Sequence, residues 1–286
     1  MSDPKPLPFV YQFLSGAIAG VSEIMVMYPL DVVKTRQQLA TTADYNGTIR
    51  CLKKIVAEEG FSRLYKGISA PILMEAPKRA IKFAANDEWG KFYRNAFSMP
   101  QMTQSLAVLT GATAGATESF VVVPFELVKI QLQDRTSKFN SAGEVVKHIV
   151  KSNGVLGLYK GLESTLWRHI AWNAGYFGLI FQVRSLMPKP KSSSEKTLID
   201  LTCGTIGGTF GTMLNTPFDV VKSRIQAGSS KYVWTFPSVL TVAKEEGVAA
   251  LYKGFIPKVL RLGPGGGILL VVFTTCMDFF RTLQKD

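Results

Sequence analysis

The chain has 286 residues, enough for two ordinary soluble domains or one membrane bundle, and 47% of them are hydrophobic. A mean hydropathy of +0.14 is high for a soluble protein and low for a bundle that meets lipid on every face. It fits helices with one lipid face and one polar face around a water-filled cavity. The net charge of +12 comes from 33 basic and 21 acidic residues scattered among apolar segments, with no basic tract beside stacking aromatics, which argues against nucleic acid as a partner.

In chain order, residues 1–8 carry neither a basic, cleavable, apolar-cored signal nor an Arg- and Ser-rich transit segment, so targeting information is expected to be internal. An apolar stretch over 9–40 predicts a long helix. It holds Gly16 and Gly20, then Pro29-Leu-Asp31-Val-Val-Lys34-Thr-Arg36-Gln-Gln38. A polar connector leads to a short amphipathic helix over 48–58, suited to lie along a membrane surface. It ends at Glu59-Gly60-Phe-Ser-Arg-Leu-Tyr65-Lys66-Gly67, and a second long helix follows over 68–97.

The pattern then repeats. Residues 103–135 predict a long helix with Gly111, Gly115 and Pro124-Phe-Glu126-Leu-Val-Lys129-Ile-Gln-Leu-Gln133. A surface helix over 142–152 leads through Asn153-Gly154 and Tyr159-Lys160-Gly161 to a helix over 162–187. In the third copy, residues 196–227 carry Gly204, Gly208 and Pro217-Phe-Asp219-Val-Val-Lys222-Ser-Arg224-Ile-Gln226. A surface helix over 237–245 passes through Glu246-Gly247 and Tyr252-Lys253-Gly254 to a last helix over 255–283. The expected architecture is an all-α membrane protein of six transmembrane helices in three pseudosymmetric repeats, each with one short surface helix. The repeats are expected at 1–97, 98–188 and 189–286, joined in one bundle, with both termini on the same side.

Pro29, Pro124 and Pro217 are expected to kink their helices, since each removes one backbone hydrogen bond and crowds the preceding turn. The paired glycines four residues apart are expected to let helix backbones approach closely. Asp31, Glu126, Asp219, Lys34, Lys129 and Lys222 cannot stay unpaired at membrane depth, and threefold geometry lets each acid meet a base of a neighbouring repeat. Cys51, Cys203 and Cys276 show neither metal-ligand spacing nor a disulfide framework and read as small apolar fillers.

The threefold Pro-x-Asp/Glu-x-x-Lys motif, with its following acid-Gly and Tyr-Lys-Gly, resembles the mitochondrial carrier family over essentially the whole chain. Two departures stand out: Gln131 where a second base is usual, and Asn153 where an acid is usual. The resemblance implies an inner-membrane solute carrier working by alternating access, with the surface helices towards the matrix and both termini towards the intermembrane space. It implies a matrix-side gate of Asp31–Lys129, Glu126–Lys222 and Asp219–Lys34, with Gln38, Gln133 and Gln226 as braces under the pairs. Removing the Lys34 ammonium is then expected to leave Asp219 unpaired. Permanent structural glue is the alternative reading of the ring. On the opposite side the resemblance implies a single pair, Asp87–Arg184, as cytoplasmic gate.

The family's substrate positions fall at Met74/Glu75, Arg168/His169 and Arg261. Helical spacing adds Lys78 and Lys82 on the first stripe, with Arg79 beside them, and Trp172 and Asn173 one turn beyond Arg168 and His169. Snorkelling competes with cavity lining for the stripe bases, and core packing competes with a ligand role for His169. Two guanidiniums facing a third basic stripe suit a solute with two carboxylates, which arginine holds bidentately. Gly263-Pro264-Gly265-Gly266-Gly267 leaves room beside Arg261 and is no phosphate loop, as no strand precedes it. Glu23 and Glu118 lie six residues before their prolines, with Gly211 in the third copy; they are expected to pair with cavity bases, proton co-transport being the alternative.

Within the family, the stretches around Met74–Phe83, Trp167–Phe177 and Lys258–Gly267 look like fungal carriers of 2-oxodicarboxylates, which implies counter-exchange of 2-oxoadipate and 2-oxoglutarate. A citrate or oxoglutarate type of carrier, a proton leak or uniport, and a membrane scaffold are the competing readings. An enzyme is not expected: there is no nucleophile–base pair, metal spacing or nucleotide loop, and His148 and His169 fall in different repeats. No cofactor is expected, and the bundle is expected to act as a monomer. Gly60, Gly67, Gly154, Gly161, Gly247 and Gly254, which flank helix ends, are candidate holders of cardiolipin headgroups, with plain helix capping as the competing reading.

Overall fold

The computed structural model describes residues 8–40, 45, 47–99, 101–188, 192–228 and 230–283. Residues 1–7, part of the linker expected near 188–195 and residue 100 in the linker near 98–102 lie outside the described residues. Nine α-helices are described: α1 Phe9–Leu39, α2 Thr48–Glu59, α3 Ser69–Ala96, α4 Gln104–Gln133, α5 Ala142–Asn153, α6 Leu162–Leu186, α7 Ser193–Gln226, α8 Thr235–Glu246 and α9 Phe255–Leu283. Long, short, long recurs three times, and α7 begins three residues earlier than the periodicity predicts. Its start is set by Ser192, whose hydroxyl accepts from Glu195 N–H at 3.1 Å.

Each of Pro29, Pro124 and Pro217 lies inside a continuous helix. By length and composition three helical stretches are long and apolar enough to cross a membrane: Val10–Leu39, Gln104–Gln133 and Val248–Leu283. The other three long helices are α3, α6 and α7. The six long helices close a ring in the order α1, α3, α4, α6, α7, α9, with α9 back against α1. That is the six-helix, threefold carrier arrangement.

The short helices end alike. Gly60, Gly154 and Gly247 take φ of +86°, +69° and +84°, a region closed to most side chains, and each stops its helix. A single 3₁₀ turn follows in every repeat (Phe61–Tyr65, Val155–Tyr159, Val248–Tyr252) before the next long helix. Apolar burial concentrates under these short helices. Ile24, Tyr28, Val32 and Val33 of α1 pack with Cys51 and Ile55 of α2; Leu127, Val128 and Leu132 pack with Val145 and Ile149; Val221 and Ile225 pack with Val242 and Leu251. Burial also pushes the Cys51 thiol up to about 12, so it is an inert filler.

The glycine seams follow the expected motif at both positions in the second repeat, at Gly20 alone in the first, and depart from it in the third. Gly20 gives room to the Glu75–Arg79 pair of α3, while Gly111 and Gly115 seat Asn173 and His169 of α6. Gly16 and Gly204 face open space. The close approach of α7 to α6 uses Gly207 and Gly211 instead; a Cβ on Gly175 would stand 2.8 Å from the Gly211 Cα. Helix rotation decides this, and a stretch holding four glycines leaves the register open.

Candidate functional site

Within one motif the acid and base sit three residues apart on one helix face, close enough to pair with each other. They do not. Lys129 Nζ stands 2.8 Å from Asp31 Oδ2, Lys34 Nζ stands 2.7 Å from Asp219 Oδ2, and Lys222 binds Glu126. All three cross between repeats, so α1, α4 and α7 are tied into a ring. Asp219 and Lys222 are almost fully buried. Breaking one partner from such a pair leaves a buried charge uncompensated.

A second set of cations reaches the same acids from the even helices. Arg261 Nη1 lies 2.5 Å from Asp31 Oδ1, and its Nη2 lies 3.0 Å from Glu23 Oε1. Arg168 stands 3.7 Å from Glu126 and 3.9 Å from Asp219. Lys258 Nζ lies 3.3 Å from Asp219 Oδ2 and donates to Asn215 Oδ1 at 2.5 Å. Lys258 was not among the residues expected from sequence; the available signal was its place one helical turn before Arg261 on the same face. The expectation that loss of Lys34 strands Asp219 is corrected, because Lys258, Arg168 and Gln38 all remain on that carboxylate.

The three glutamines are not equivalent. Gln38 Nε2 donates to Asp219 Oδ2 at 3.1 Å and its Oε1 accepts from Ser223 Oγ at 2.7 Å, so it braces its pair. Gln226 packs its stem on Gly161 and its side-chain amide has no hydrogen-bond partner among the described residues, and Gln133 is buried beside Tyr28.

Above the ring lie two adjoining cavities. One of about 200 Å³ is lined by Asp31, Lys34, Glu126, Lys129, Lys78 and Arg261. The other, of about 520 Å³, is lined by Lys78, Lys82, Glu118, Arg168, His169 and Trp172, with Asn173 behind them. Lys78 and Glu126 border both. His169 does two things: it packs on Gly115 and sits 3.1 Å from Arg168 Nη2. Asn173 donates to His169 O at 2.8 Å and fills the notch at Gly111, and Trp172 stacks on Tyr176 with centroids 4.8 Å apart.

Glu75 is a correction. It is buried against α1, accepting from Lys78 at 3.0 Å and Arg79 at 2.5 Å, and it lines neither cavity. It is a counter-ion to its own stripe, because its side chain points to the Gly20 notch. Glu23 pairs with Arg261 as expected, and Glu118 has no ion pair among the described residues. Asp87 and Arg184 do not meet while the opposite ring is paired. Asp87 holds Lys91 at 2.6 Å and Arg184 holds Asp200 of α7. Both are more than half exposed (60% and 59%), so each takes the nearest partner along its own side of the ring.

The glycines of the Tyr-Lys-Gly turns are packing positions. Gly67 abuts Leu132 and the Tyr28 hydroxyl, Gly161 abuts Gln226, and Gly254 abuts Gln38 and Lys34, all at positive φ. Each seats the start of an even helix on the end of the next repeat's odd helix. Gly60, Gly154 and Gly247 face open space.

Outside the ring a clamp joins odd helix to short helix in two repeats. Arg36 Nη2 meets Glu59 at 2.7 Å, with Arg63 on the same carboxylate at 2.8 Å. Arg224 grips Glu246 through both terminal nitrogens, one at 2.9 Å, and Lys253 adds a third contact at 3.0 Å. Burial alone would raise the Glu246 pKa; Arg224 and Lys253 outweigh it and hold the carboxyl below its usual range. The second repeat has Gln131 and Asn153 here, and both line an open cavity of about 760 Å³.

The model of the family described as mitochondrial carrier protein matches residues 5–97, 101–191 and 193–284. Among curated proteins, the chain is 69% identical to a mitochondrial citrate transporter D of Aspergillus niger, covering 99% of this chain and 98% of that one. It is 61% identical to mitochondrial 2-oxodicarboxylate carrier 1 of Saccharomyces cerevisiae (99% and 97% covered) and 57% identical to carrier 2 of the same yeast (99% and 98%). Three matched segments, three crossed ion pairs and full-length relatives agree: the chain belongs to the mitochondrial carrier protein family and is a transporter by descent.

Proposed function

We propose that the chain is an inner-membrane counter-exchanger of 2-oxodicarboxylates, 2-oxoadipate and 2-oxoglutarate foremost, working by alternating access. The observation that carries the reading is that Arg168 and Arg261, cavity guanidiniums on equivalent helices, are already bound to the ring acids. A dicarboxylate entering the cavity offers each guanidinium a bidentate partner and so competes with Asp31, Glu126 and Asp219 for it. Every guanidinium drawn upward removes one of the two layers of positive charge from a ring carboxylate. Binding is thereby coupled to ring opening through shared counter-ions, which is a differential affinity for the two states. The ring residues act as the matrix gate, Lys78 and Lys82 complete the basic wall, and Asp87 and Arg184 remain the charged groups available for closure at the other mouth.

The fold works as one monomeric bundle divided at 97/98 and 188/189, without cofactor, with both termini towards the intermembrane space. Cardiolipin headgroups are assigned to the open backbone at Gly60, Gly154 and Gly247, beside the packed Gly67, Gly161 and Gly254. The high identity to a protein named as a citrate transporter favours tricarboxylates as a second substrate class.

Purified protein in liposomes preloaded with 2-oxoglutarate tests the reading. Uptake of labelled 2-oxoadipate is expected only with preload. Arg261→Lys is expected to lower that uptake about 100-fold, as it loses both the fork to substrate and the fork that joins Asp31 to Glu23. Preload-independent uptake, or an unimpaired Arg261→Lys variant, refutes it.

A further inference from the structure

The second repeat has lost the acid of the clamp and kept a cation beside its place. Lys253 lies seven residues after Glu246 and meets its carboxylate at 3.0 Å. Lys66 lies seven residues after Glu59, the carboxylate that Arg36 and Arg63 hold. Lys160 lies seven residues after Asn153 and has no ion pair among the described residues. It lines the open cavity of about 760 Å³ together with Gln131 and Asn153, which stand where the other repeats have base and acid. Among the described residues no Asp or Glu lines that cavity. Asn153 accepts from Ser152 Oγ at 3.0 Å, and its NH₂ has no partner among the described residues. The opposite wall is apolar, with Leu127, Ile149, Tyr159 and Phe139, whose ring lies 5.1 Å from that of His148. The last turns of α4, α5 and α7 meet here and bring their carbonyl ends with them, which disfavours more negative charge than Lys160 can offset.

We propose that this cavity is a regulatory site for a monocarboxylate with an apolar body, whose carboxylate pairs with Lys160 in place of the missing glutamate. One cation calls for one negative charge, so the site selects against the dianions that suit Arg168 and Arg261. The body of the ligand lies on the apolar wall, and the Asn153 NH₂ supplies a second donor to the carboxylate. The cavity lies past the ion-pair ring, since Gln131 follows Lys129 by two residues, and it shares no lining residue with the two cavities above the ring. Ala227 and Gly228 at the end of α7 also line it, so a bound acid bridges the second repeat to the third. It thereby supplies from solution the contact that Glu246 makes within the third repeat, and holds the closed end shut. The site stands without the dicarboxylate exchange proposed above; its effect on exchange rests on that reading.

The test melts the purified full chain in lipid-free detergent with phenylacetate as the probe and 2-phenylethanol as its uncharged counterpart. Saturating phenylacetate is expected to raise the wild-type midpoint by about 2 °C, and 2-phenylethanol to leave it unmoved. Asn153→Glu gives Lys160 a carboxylate of its own and is expected to abolish the response; Lys160→Gln is expected to do the same. No rise in wild type, an equal rise with 2-phenylethanol, or a rise that persists in Asn153→Glu each overturn the proposal, the last by placing the acid on the guanidiniums of the central cavity. Should either variant fail to fold, the other and the uncharged probe decide. In liposomes, phenylacetate on both sides is expected to slow exchange of 2-oxoadipate for 2-oxoglutarate about twofold in wild type and not in Asn153→Glu. Equal slowing in both overturns the regulatory role. Absence of any exchange refutes the dicarboxylate reading and leaves the melting result to judge the site.

Discussion

The third repeat and the second share a sequence motif and differ in how they are held. At the end of α7, Arg224 is 3% exposed and binds Glu246, the Tyr232 hydroxyl at 3.1 Å and, across to α1, Gln38 O at 3.0 Å. Lys253 adds Ala40 O at 2.6 Å. At the end of α4, Gln131 reaches Gln226 O at 3.3 Å and leaves an open cavity beside α5. The ion-pair ring is threefold; the clamp around it is not. Equal ring pairs with unequal clamps mean that the second repeat is the first place where the closed end yields, since local opening follows the weakest set of contacts.

The largest expected effect comes from breaking the strong side. Arg224→Ala leaves Glu246 with Lys253 alone and unpairs two acceptors, Gln38 O and the Tyr232 hydroxyl, and is expected to cost about 2–4 kcal/mol, read as a fall in the thermal midpoint in detergent. Arg36→Ala is expected to cost less, because Glu59 is the one side-chain partner of Arg36 among the described residues and Arg63 stays on it. If both fall no further than Gln131→Ala, the clamp contributes nothing and the comparison fails. A smaller effect comes from building the clamp where it is missing. Gln131→Arg with Asn153→Glu places a base and an acid across the open cavity and is expected to raise stability by about 1 kcal/mol and to slow exchange. The smallest effect is with pH. The Glu246 pKa is lowered on folding, so its contribution is fully present above the ordinary 4.5 and is lost as pH falls through the lowered value. An Arg224→Ala variant is expected to lose that part of the acid dependence of the melting midpoint.

Much of this was legible in the chain. The proline-acid-base motif, three times over, made a charged ring necessary, since neither acid nor base is stable alone in lipid. The glycines after Glu59, Asn153 and Glu246 marked the ends of the short helices in the sequence, and the structure gives all three a positive φ. The departures at Gln131 and Asn153 were visible too, although what they withheld, a clamp to the short helix, needed the partners Glu59 and Glu246 in place. Arg261 was legible as a cavity cation but not as the bearer of Asp31 and Glu23, because that contact spans 230 and 238 positions of sequence.

Local pattern thus decided helix number, helix ends, the threefold order and the need for paired charge, for these follow from periodicity, backbone stereochemistry and the cost of bare ions in lipid. Tertiary packing decided which cation meets which acid. Helix rotation turned Glu75 of α3 away from the cavity and brought Lys258 of α9 onto Asp219. It also placed the third seam on Gly207 and Gly211. Such choices depend on the angle at which neighbouring faces meet, and no stretch of chain carries that angle alone.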